Sequence, residues 1–188
     1  GTGRYESASR YLEPNDRTNE LLSAEIVADL GFAQLTSATG FSRYDEKGQR
    51  DQTDLLITLE FSYEAFPSFS AFTREIEKEE TFTQELRFVS QGDGRWDWIG
   101  GLFFLDFEQP EGVSREFTPL YDAYVGGSRP DQLEYISVLQ EDRRETALFG
   151  EVGYQITDKW RVALGGRFDD YEFTTRSGFD TPLFNTIA

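Results

Sequence analysis

The sequence predicts an all-β fold: an antiparallel transmembrane β-barrel section of about six strands in three hairpins, belonging to a larger barrel. Two observations support this prediction. Strand-like runs are joined alternately by very tight turns and by long polar segments, and side chains along the clearest runs alternate between apolar and polar. Short turns at one end of the strands and long loops at the other are typical of outer-membrane barrels.

Three tight turns define the hairpins. They lie at Leu30–Phe32, Gln91–Arg95 and Thr157–Lys159, roughly 62 to 65 residues apart. In the second turn, Gly92 and Gly94 are predicted to supply positive φ angles, which glycine adopts without steric cost. Each turn is therefore expected to close a hairpin at the periplasmic end of the strands, and the longer connections to be extracellular loops.

The six predicted strands differ in how clearly they alternate. The last pair is the clearest, because charged residues occupy only one of its two faces. Several runs reach about 10 to 14 residues, whereas strands of soluble domains number ~5 or 6 and a tilted membrane strand needs about 9 to 11. The predicted strands are Ser23–Leu30, Ala33–Asp45, Thr81–Ser90, Trp96–Phe104, Thr146–Ile156 and Trp160–Asp169.

Alternation assigns a lipid face and a lumen face to these strands. The residues predicted to face the lumen are Glu85, Arg87, Glu151, Arg161 and Arg167. On the opposite face, Tyr154, Trp160 and Phe168 are predicted to belong to aromatic girdles, and Trp96 and Trp98 suit a membrane interface beside a tight turn. The same alternation also fits a soluble antiparallel sheet with one wet face.

Composition excludes several functions. The net charge is -17, from 35 acidic and 18 basic residues, which argues against nucleic-acid binding because phosphates require a basic surface. Cysteine and histidine are absent, so zinc-thiolate sites, thiol nucleophiles and the usual hydrolase triads are not expected. We predict no catalytic residues, no metal site and no cofactor.

No apolar run approaches the ~18 residues of a transmembrane helix. The longest, Ile99–Leu105, contains two glycines. A membrane span made of strands rather than helices is therefore the prediction.

Three segments resemble hairpins of TonB-dependent outer-membrane receptors. Residues Thr83–Arg87 read T-Q-E-L-R and precede a short turn and a W-x-x-G-x-F-like strand from Trp96. Residues Ala147–Glu151 read A-L-F-G-E and precede Thr157–Lys159 and the G-x-R-F-like run 165–168. Residues Leu35–Phe41 resemble the L-T-S-x-T-G-Y strand of the same family. The matches span most of 23–173, in the family's order.

The resemblance implies a receptor and transporter in the outer membrane of a Gram-negative bacterium. Its function would be TonB-energised uptake of a scarce solute, a ferric siderophore foremost, with cobalamin or an oligosaccharide as alternatives. Residues 1–188 would be a partial barrel domain, since no plug domain and no closing C-terminal strand are recognised. The implied partners are outer-membrane lipid, the solute, and the TonB complex, contacted through the missing plug or N-terminal region.

Candidate ligand contacts come from the long connections. Aromatic rings stack on sugars or catecholates, and arginine pairs with anionic chelates. The candidates in the Glu108–Glu141 connection are Tyr121, Tyr124, Arg129 and Tyr135. A second aromatic group is instead expected to pack as a cap over the barrel mouth: Phe61, Tyr63, Phe66, Phe69 and Phe72.

Two other functional classes remain to be weighed. A soluble β-sandwich that binds carbohydrate would show similar alternation and turns. A glycosidase would need two carboxylates at a defined separation, and no motif in the chain supplies such a pair. An enzyme is therefore not predicted, and the sandwich is the alternative that the structure must distinguish.

Overall fold

The computed structural model describes residues 9–58, 69–119 and 131–182. Within them, six antiparallel strands form one sheet in the order of the chain, β1-β2-β3-β4-β5-β6, which confirms the predicted all-β architecture. The elements are β1 (Asn15–Asp29), β2 (Ala33–Asp51), α1 (Thr53–Thr58), β3 (Phe72–Ser90), β4 (Trp96–Phe117), β5 (Leu133–Thr157) and β6 (Trp160–Asp180).

The three predicted tight turns join β1 to β2, β3 to β4 and β5 to β6, all at one end of the sheet. Gly31 has φ 83° and Gly92 has φ 138°, and the carboxylate of Asp29 accepts a hydrogen bond from the Gly31 N–H at 2.8 Å. Gly94 was predicted to have positive φ but does not. One left-handed residue is thus sufficient to close the second turn.

The strands are longer than the sequence predicts. β5 begins at Leu133 rather than near Thr146, and β3 begins at Phe72 rather than near Thr81. Much of the predicted loop sequence 47–79 and 108–141 is therefore strand. These outer halves mix polar and apolar residues on both faces, so they lack the apolar alternation by which strands are recognised.

Proline lies inside β4 without ending it. Pro110 falls where the pairing of β4 with β5 shifts, between Gln109 and Gly112. A β-bulge leaves a residue outside the ladder, so the missing N–H of proline costs no hydrogen bond there.

The single helix is a small element at the outer end of the sheet. The Asp51 carboxylate accepts the N–H of Thr53 at 2.9 Å, which satisfies a donor at the start of α1. Leu56 is buried, as are Phe69 and Ala71 just before β3. None of the described residues forms a helix long and apolar enough to cross a membrane.

The two faces of the sheet have opposite character. Residues that pair across antiparallel strands share a face, so the register defines each face by rows. One row of the apolar face runs Ile26, Ser37, Leu86, Leu102, Leu148 and Phe168. One row of the charged face runs Thr36, Arg87, Gly101, Phe149 and Arg167. We call these two surfaces the apolar face and the charged face.

The apolar face is the more exposed of the two. Leu164 is 84% exposed and Phe168 73%, whereas Ala147, on the charged face, is 1% exposed. A water-soluble protein would bury the apolar side. The described strands form one sheet with nothing covering that side, so the sandwich alternative is wrong.

Glycine allows close approach at one point of the charged face. A Cβ atom added to Gly101 would lie 2.5 Å from the Leu86 carbonyl oxygen and 2.5 Å from the Phe149 ring. At Gly166, on the apolar face, an added Cβ would have no atom within 4 Å. Glycine is therefore required at position 101 for this close approach, whereas position 166 has room for a side chain.

We predict that Gly101→Ala lowers the free energy of unfolding by about 1–3 kcal/mol, because the new methyl group must displace backbone and ring atoms. Gly166→Ala is the matched control and should be neutral or stabilising by roughly 0.5 kcal/mol. Urea unfolding of the full chain in detergent micelles, followed by tryptophan fluorescence, measures both. Equal midpoints for the two variants would contradict the close approach.

Candidate functional site: the charged face and its outer groove

All five residues predicted to face the lumen lie on the charged face. Arg87 and Arg167 fall in the single row described above. Glu85 pairs with Phe103 in the next row, and Glu151 pairs with both Ile99 and Gly165. Charged residues far apart in sequence therefore come together on one face of β3 to β6, where they are interspersed with apolar residues such as Ile99 and Phe103.

Arg161 connects two carboxylates near the tight turns. Its guanidinium donates to Asp97, with Nε to Oδ2 at 3.0 Å and Nη2 to Oδ1, and Nη2 also reaches Glu151 Oε1 at 3.2 Å. The fork of an arginine matches a carboxylate in this way. The network ties β6 to β4 across the intervening strand β5.

Arg167 has a similar environment farther along β6. Its Nε donates to Asp169 at 2.7 Å and its Nη2 to Glu145 at 2.8 Å, while its guanidinium carbon lies 5.6 Å from the centre of the Phe103 ring. Glu85 and Arg87 approach each other at 3.8 Å. The arginines of this face thus have partners within the sheet itself.

A groove of about 430 Å³ lies on the charged face, near the strand ends that are farthest from the tight turns. Arg17 pairs with Glu46 at 2.9 Å, and Arg50 pairs with Glu75. The lining residues are Asn15, Arg17, Glu46, Arg50, Glu75, Ile76, Glu77, Gln109, Gly112, Val113, Ser114, Ser137 and Leu139. Five strands contribute to this groove, so it exists only when the outer halves of the strands are paired.

Glu77 leaves the groove with a negative character. Its carboxylate accepts a hydrogen bond from Gln109 Nε2 at 3.0 Å, and Gln109 itself is 5% exposed. Burial, and then the neighbouring carboxylates beginning with Glu79, raise the pKa of Glu77. The pKa of Glu46 is lowered, chiefly by the hydrogen bond from Arg17. Both arginines are engaged, so the groove attracts polar solutes more than anions.

Glu116 lies in the same face farther outward. It pairs with Tyr135 on one side and Thr73 on the other. Burial, followed by the negative charge of Glu134, raises the pKa of Glu116 to about 7. The register thus brings Tyr135, a predicted ligand contact, beside a carboxylate that titrates near neutral pH.

The other predicted ligand contacts, Tyr121, Tyr124 and Arg129, lie outside the described residues. So do Phe61, Tyr63 and Phe66 of the predicted aromatic cap. Of the described members, Phe69 is buried. The ring centre of Phe72 lies 5.0 Å from that of Phe117 and 4.7 Å from that of Tyr11. Phe72 and Phe117 lie on the same side of the sheet as Arg74, so the cap over the barrel mouth stays a prediction.

Sequence reasoning missed the groove and the residues that line it. The signal was a period of two in charge rather than in hydrophobicity: Glu75, Glu77 and Glu79 alternate with Arg74, Ile76 and Lys78. That alternation indicates an extended strand with one acidic side. The segment lies between the predicted strands Ala33–Asp45 and Thr81–Ser90, so the prediction placed it in a loop.

Aromatic side chains border the apolar face beside the tight turns. The Trp96 and Tyr154 rings lie 4.6 Å apart, and Trp160 is 71% exposed. Farther from the turns, Phe82 and Phe104 are 6.2 Å apart. An apolar surface with aromatic rings at its borders is the pattern of a membrane-facing barrel wall.

Comparison with protein-family models agrees with this geometry. The model of the TonB dependent receptor-like β-barrel matches residues 1–186. The chain belongs to this family. No curated protein matches it significantly. At the level of the family, TonB-dependent receptors are outer-membrane receptors and transporters rather than enzymes, so the resemblance on which the sequence prediction depended is confirmed.

The raised pKa of Glu116 predicts a pH dependence of stability. A carboxyl group with a folded-state pKa of about 7 favours the folded state below its ordinary pKa, and that contribution is lost as the pH rises through 7. We expect Glu116→Gln to stabilise the protein at pH 8 by on the order of 1–2 kcal/mol, allowing for solvent screening. At pH 4.5 the variant should gain nothing.

Thermal unfolding of the detergent-solubilised protein between pH 4.5 and 8 measures this effect. Glu108→Gln, at an exposed position of the same strand, is the control. A difference between Glu116→Gln and wild type that does not change with pH would refute the assignment.

Proposed function

We propose that the chain forms part of the wall of a TonB-energised outer-membrane transporter that takes up a scarce solute, with a ferric siderophore as the leading candidate. The observation that carries the proposal is the inverted distribution of side chains: an apolar face that is exposed and a charged face that is more shielded. Lipid contact explains the first face and a polar lumen explains the second.

The part of the apolar face that carries apolar side chains is called the apolar band here, and its height supports membrane spanning. On β6 the band extends from Trp160 to Phe168, which is about 26 Å along the strand at ~3.3 Å per residue. The next two residues of β6 on that face are Asp170 and Glu172. Tilted by about 30°, the band would be about 23 Å high, close to the ~25 Å of outer-membrane barrels.

The tilt follows from the register. The uppermost apolar residue of the band is Leu22 on β1, and its row ends at Glu172 on β6. On β6 the band ends at Phe168, which is four residues nearer the turns. The upper edge of the band therefore shifts by about 13 Å along the strands while it crosses about 24 Å of sheet from β1 to β6. This slope corresponds to a strand tilt of about 30°. Barrel strands tilt by ~35–45°.

We propose that β1 and β6 pair with further strands of the same wall. They are the two edges of the sheet formed by the described residues, and lipid cannot satisfy open edge N–H and C=O groups. In the completed wall, Glu85, Arg87, Glu151, Arg161 and Arg167 face the lumen. A plug and the TonB contact would lie in regions outside this wall section.

The outer groove and the long connections are proposed to contact the solute. Tyr135 lies in the same cross-strand row as Arg50 and Glu116, beside the groove. The connection between β4 and β5 contains Tyr121, Tyr124 and Arg129. The tyrosines and Arg129 of the connection suit catecholate and anionic iron chelates, whereas the groove, whose arginines are paired with carboxylates, is proposed to contact neutral polar groups of the solute. The preference for iron comes from the family resemblance, and oligosaccharide and cobalamin are the competing solutes.

We predict that cells carrying the full receptor accumulate radiolabelled ferric siderophore, and that uptake stops when TonB is deleted or the inner-membrane potential is collapsed. Labelled cobalamin and oligosaccharides are tested in parallel. Uptake of one of these instead would change the substrate and keep the transport mechanism. Uptake that persists without TonB would refute the mechanism itself.

The proposed lipid face predicts an asymmetry between neighbouring positions of β6. Leu164→Arg places a charge near the middle of the apolar band and should destabilise the folded protein by about 2–4 kcal/mol. Ala163→Arg makes the same change one residue earlier on the charged face, near Asp97 and Glu151, and should be mild. Heat-modifiable gel mobility of the assembled protein measures both. Equal tolerance at the two positions would contradict the assigned faces.

A further inference from the structure

Two arginines face each other on the outer part of the apolar side of the sheet, beyond the apolar band. Arg74 of β3 and Arg115 of β4 are direct cross-strand partners. Like charges in such positions repel and destabilise the sheet. A carboxylate or a bound anion between the two guanidinium groups would offset this repulsion.

Among the described residues, neither arginine has a carboxylate within ion-pair distance. The contrast with the same surface is clear, because Lys78 pairs with Glu111 at 2.5 Å, Arg144 with Asp106 at 3.5 Å and Arg176 with Asp142 at 3.3 Å. The whole chain has 35 acidic and 18 basic residues. On this surface the other basic residues of β3 to β6, which are Lys78, Arg144 and Arg176, all have carboxylate partners, so the two arginines differ from their described neighbours.

Arg74 is held in place without being neutralised. Its guanidinium carbon lies 5.2 Å from the centre of the Phe72 ring and 5.3 Å from that of Phe117. Its Nε donates to Gln49 Oε1 at 3.2 Å. Aromatic faces and a neutral amide orient the guanidinium, and they leave its charge available to a ligand.

The arginine pair borders a concave space. A cavity of about 490 Å³ is lined by Lys47, Arg74, Arg115, Ile76 and Phe117, among others. Asp16 also lines it and pairs across the strands with Lys47. Two carboxylates, those of Asp16 and Glu75, line the cavity beside the three basic side chains, so its net charge is one positive unit.

The geometry points to an oxyanion-binding site at Arg74 and Arg115 that takes a phosphate group. Guanidinium groups bind phosphate oxygens in a bidentate manner, and one phosphate between the two arginines would replace their repulsion by two attractive contacts. Lys47 at the margin adds a third donor group. The site is separate from the proposed solute path, because it lies on the opposite face of the sheet from the outer groove.

The height of the site restricts the source of the phosphate. Arg74 lies eight residues beyond Phe82, the last apolar-band residue of β3, which is about 26 Å along the strand and about 23 Å above the band at a tilt of about 30°. Headgroups of ordinary phospholipids reach only ~5–7 Å from the hydrocarbon. The phosphate is therefore one carried on an extended saccharide headgroup of an outer-leaflet glycolipid, or a free phosphate. The choice of source, unlike the site, depends on the proposed membrane orientation.

The test uses the full receptor in detergent and compares wild type with the double variant Arg74→Gln/Arg115→Gln. Three probes are titrated: inorganic phosphate, vesicles of phosphatidylcholine containing a phosphorylated long-saccharide glycolipid, and the same vesicles after enzymatic removal of the phosphates. Arg176→Gln, at a paired arginine of the same face, is the matched control. Thermal unfolding verifies that each variant is folded, and Arg115→Gln should raise the apparent melting temperature because it removes the repulsion.

We expect binding of the phosphorylated probe to weaken at least tenfold in the double variant and to stay unchanged in Arg176→Gln. Loss with both inorganic phosphate and vesicles identifies a general phosphate site, and loss with vesicles alone identifies the glycolipid. Binding that is equal in wild type and double variant, or absent for every phosphorylated probe, overturns the inference. Either result leaves TonB-dependent uptake unaffected, so failure of this site is distinguishable from failure of the proposed function.

Discussion

The whole structure depends on an unbroken backbone ladder between neighbouring strands. In hydrocarbon each N–H and C=O must find a partner within the protein, and the five strand pairs provide it over nearly the full length of each strand. In strands paired by this ladder, successive side chains point to opposite faces of the sheet. The separation into an apolar and a charged face follows from that constraint and from the sequence period of two.

The charged face is largely neutralised by contacts within the sheet. Arg161 and Arg167 each contact two carboxylates of the same surface, so the wall needs no outside partner to stabilise these charges. Exposed ion pairs contribute little to stability individually. Their more important effect is to keep the charged face free of a large uncompensated charge.

The strand halves near the tight turns could be predicted from the sequence, and the halves far from the turns could not. Where lipid contacts one face, the sequence must alternate between apolar and polar, and the run from Trp160 to Phe168 carries that pattern openly. Beyond the membrane both faces meet water, so only pairing distinguishes a strand from a loop. The groove could not be predicted either, because its lining residues come from five strands and are brought together only by their long-range pairing.

The length of the strands beyond the bilayer has a functional meaning. β5 has 25 residues, whereas about 9 to 11 cross a membrane, and the additional ladder is costly in conformational entropy. A flexible loop could connect the strands with fewer ordered residues. The paired extension instead holds Arg50, Glu77 and Glu116 at fixed positions on one side and Arg74 with Arg115 on the other. Binding groups on a rigid scaffold lose less entropy when a ligand arrives, so the extension provides two preorganised surfaces, one on the charged face and one on the opposite side of the sheet.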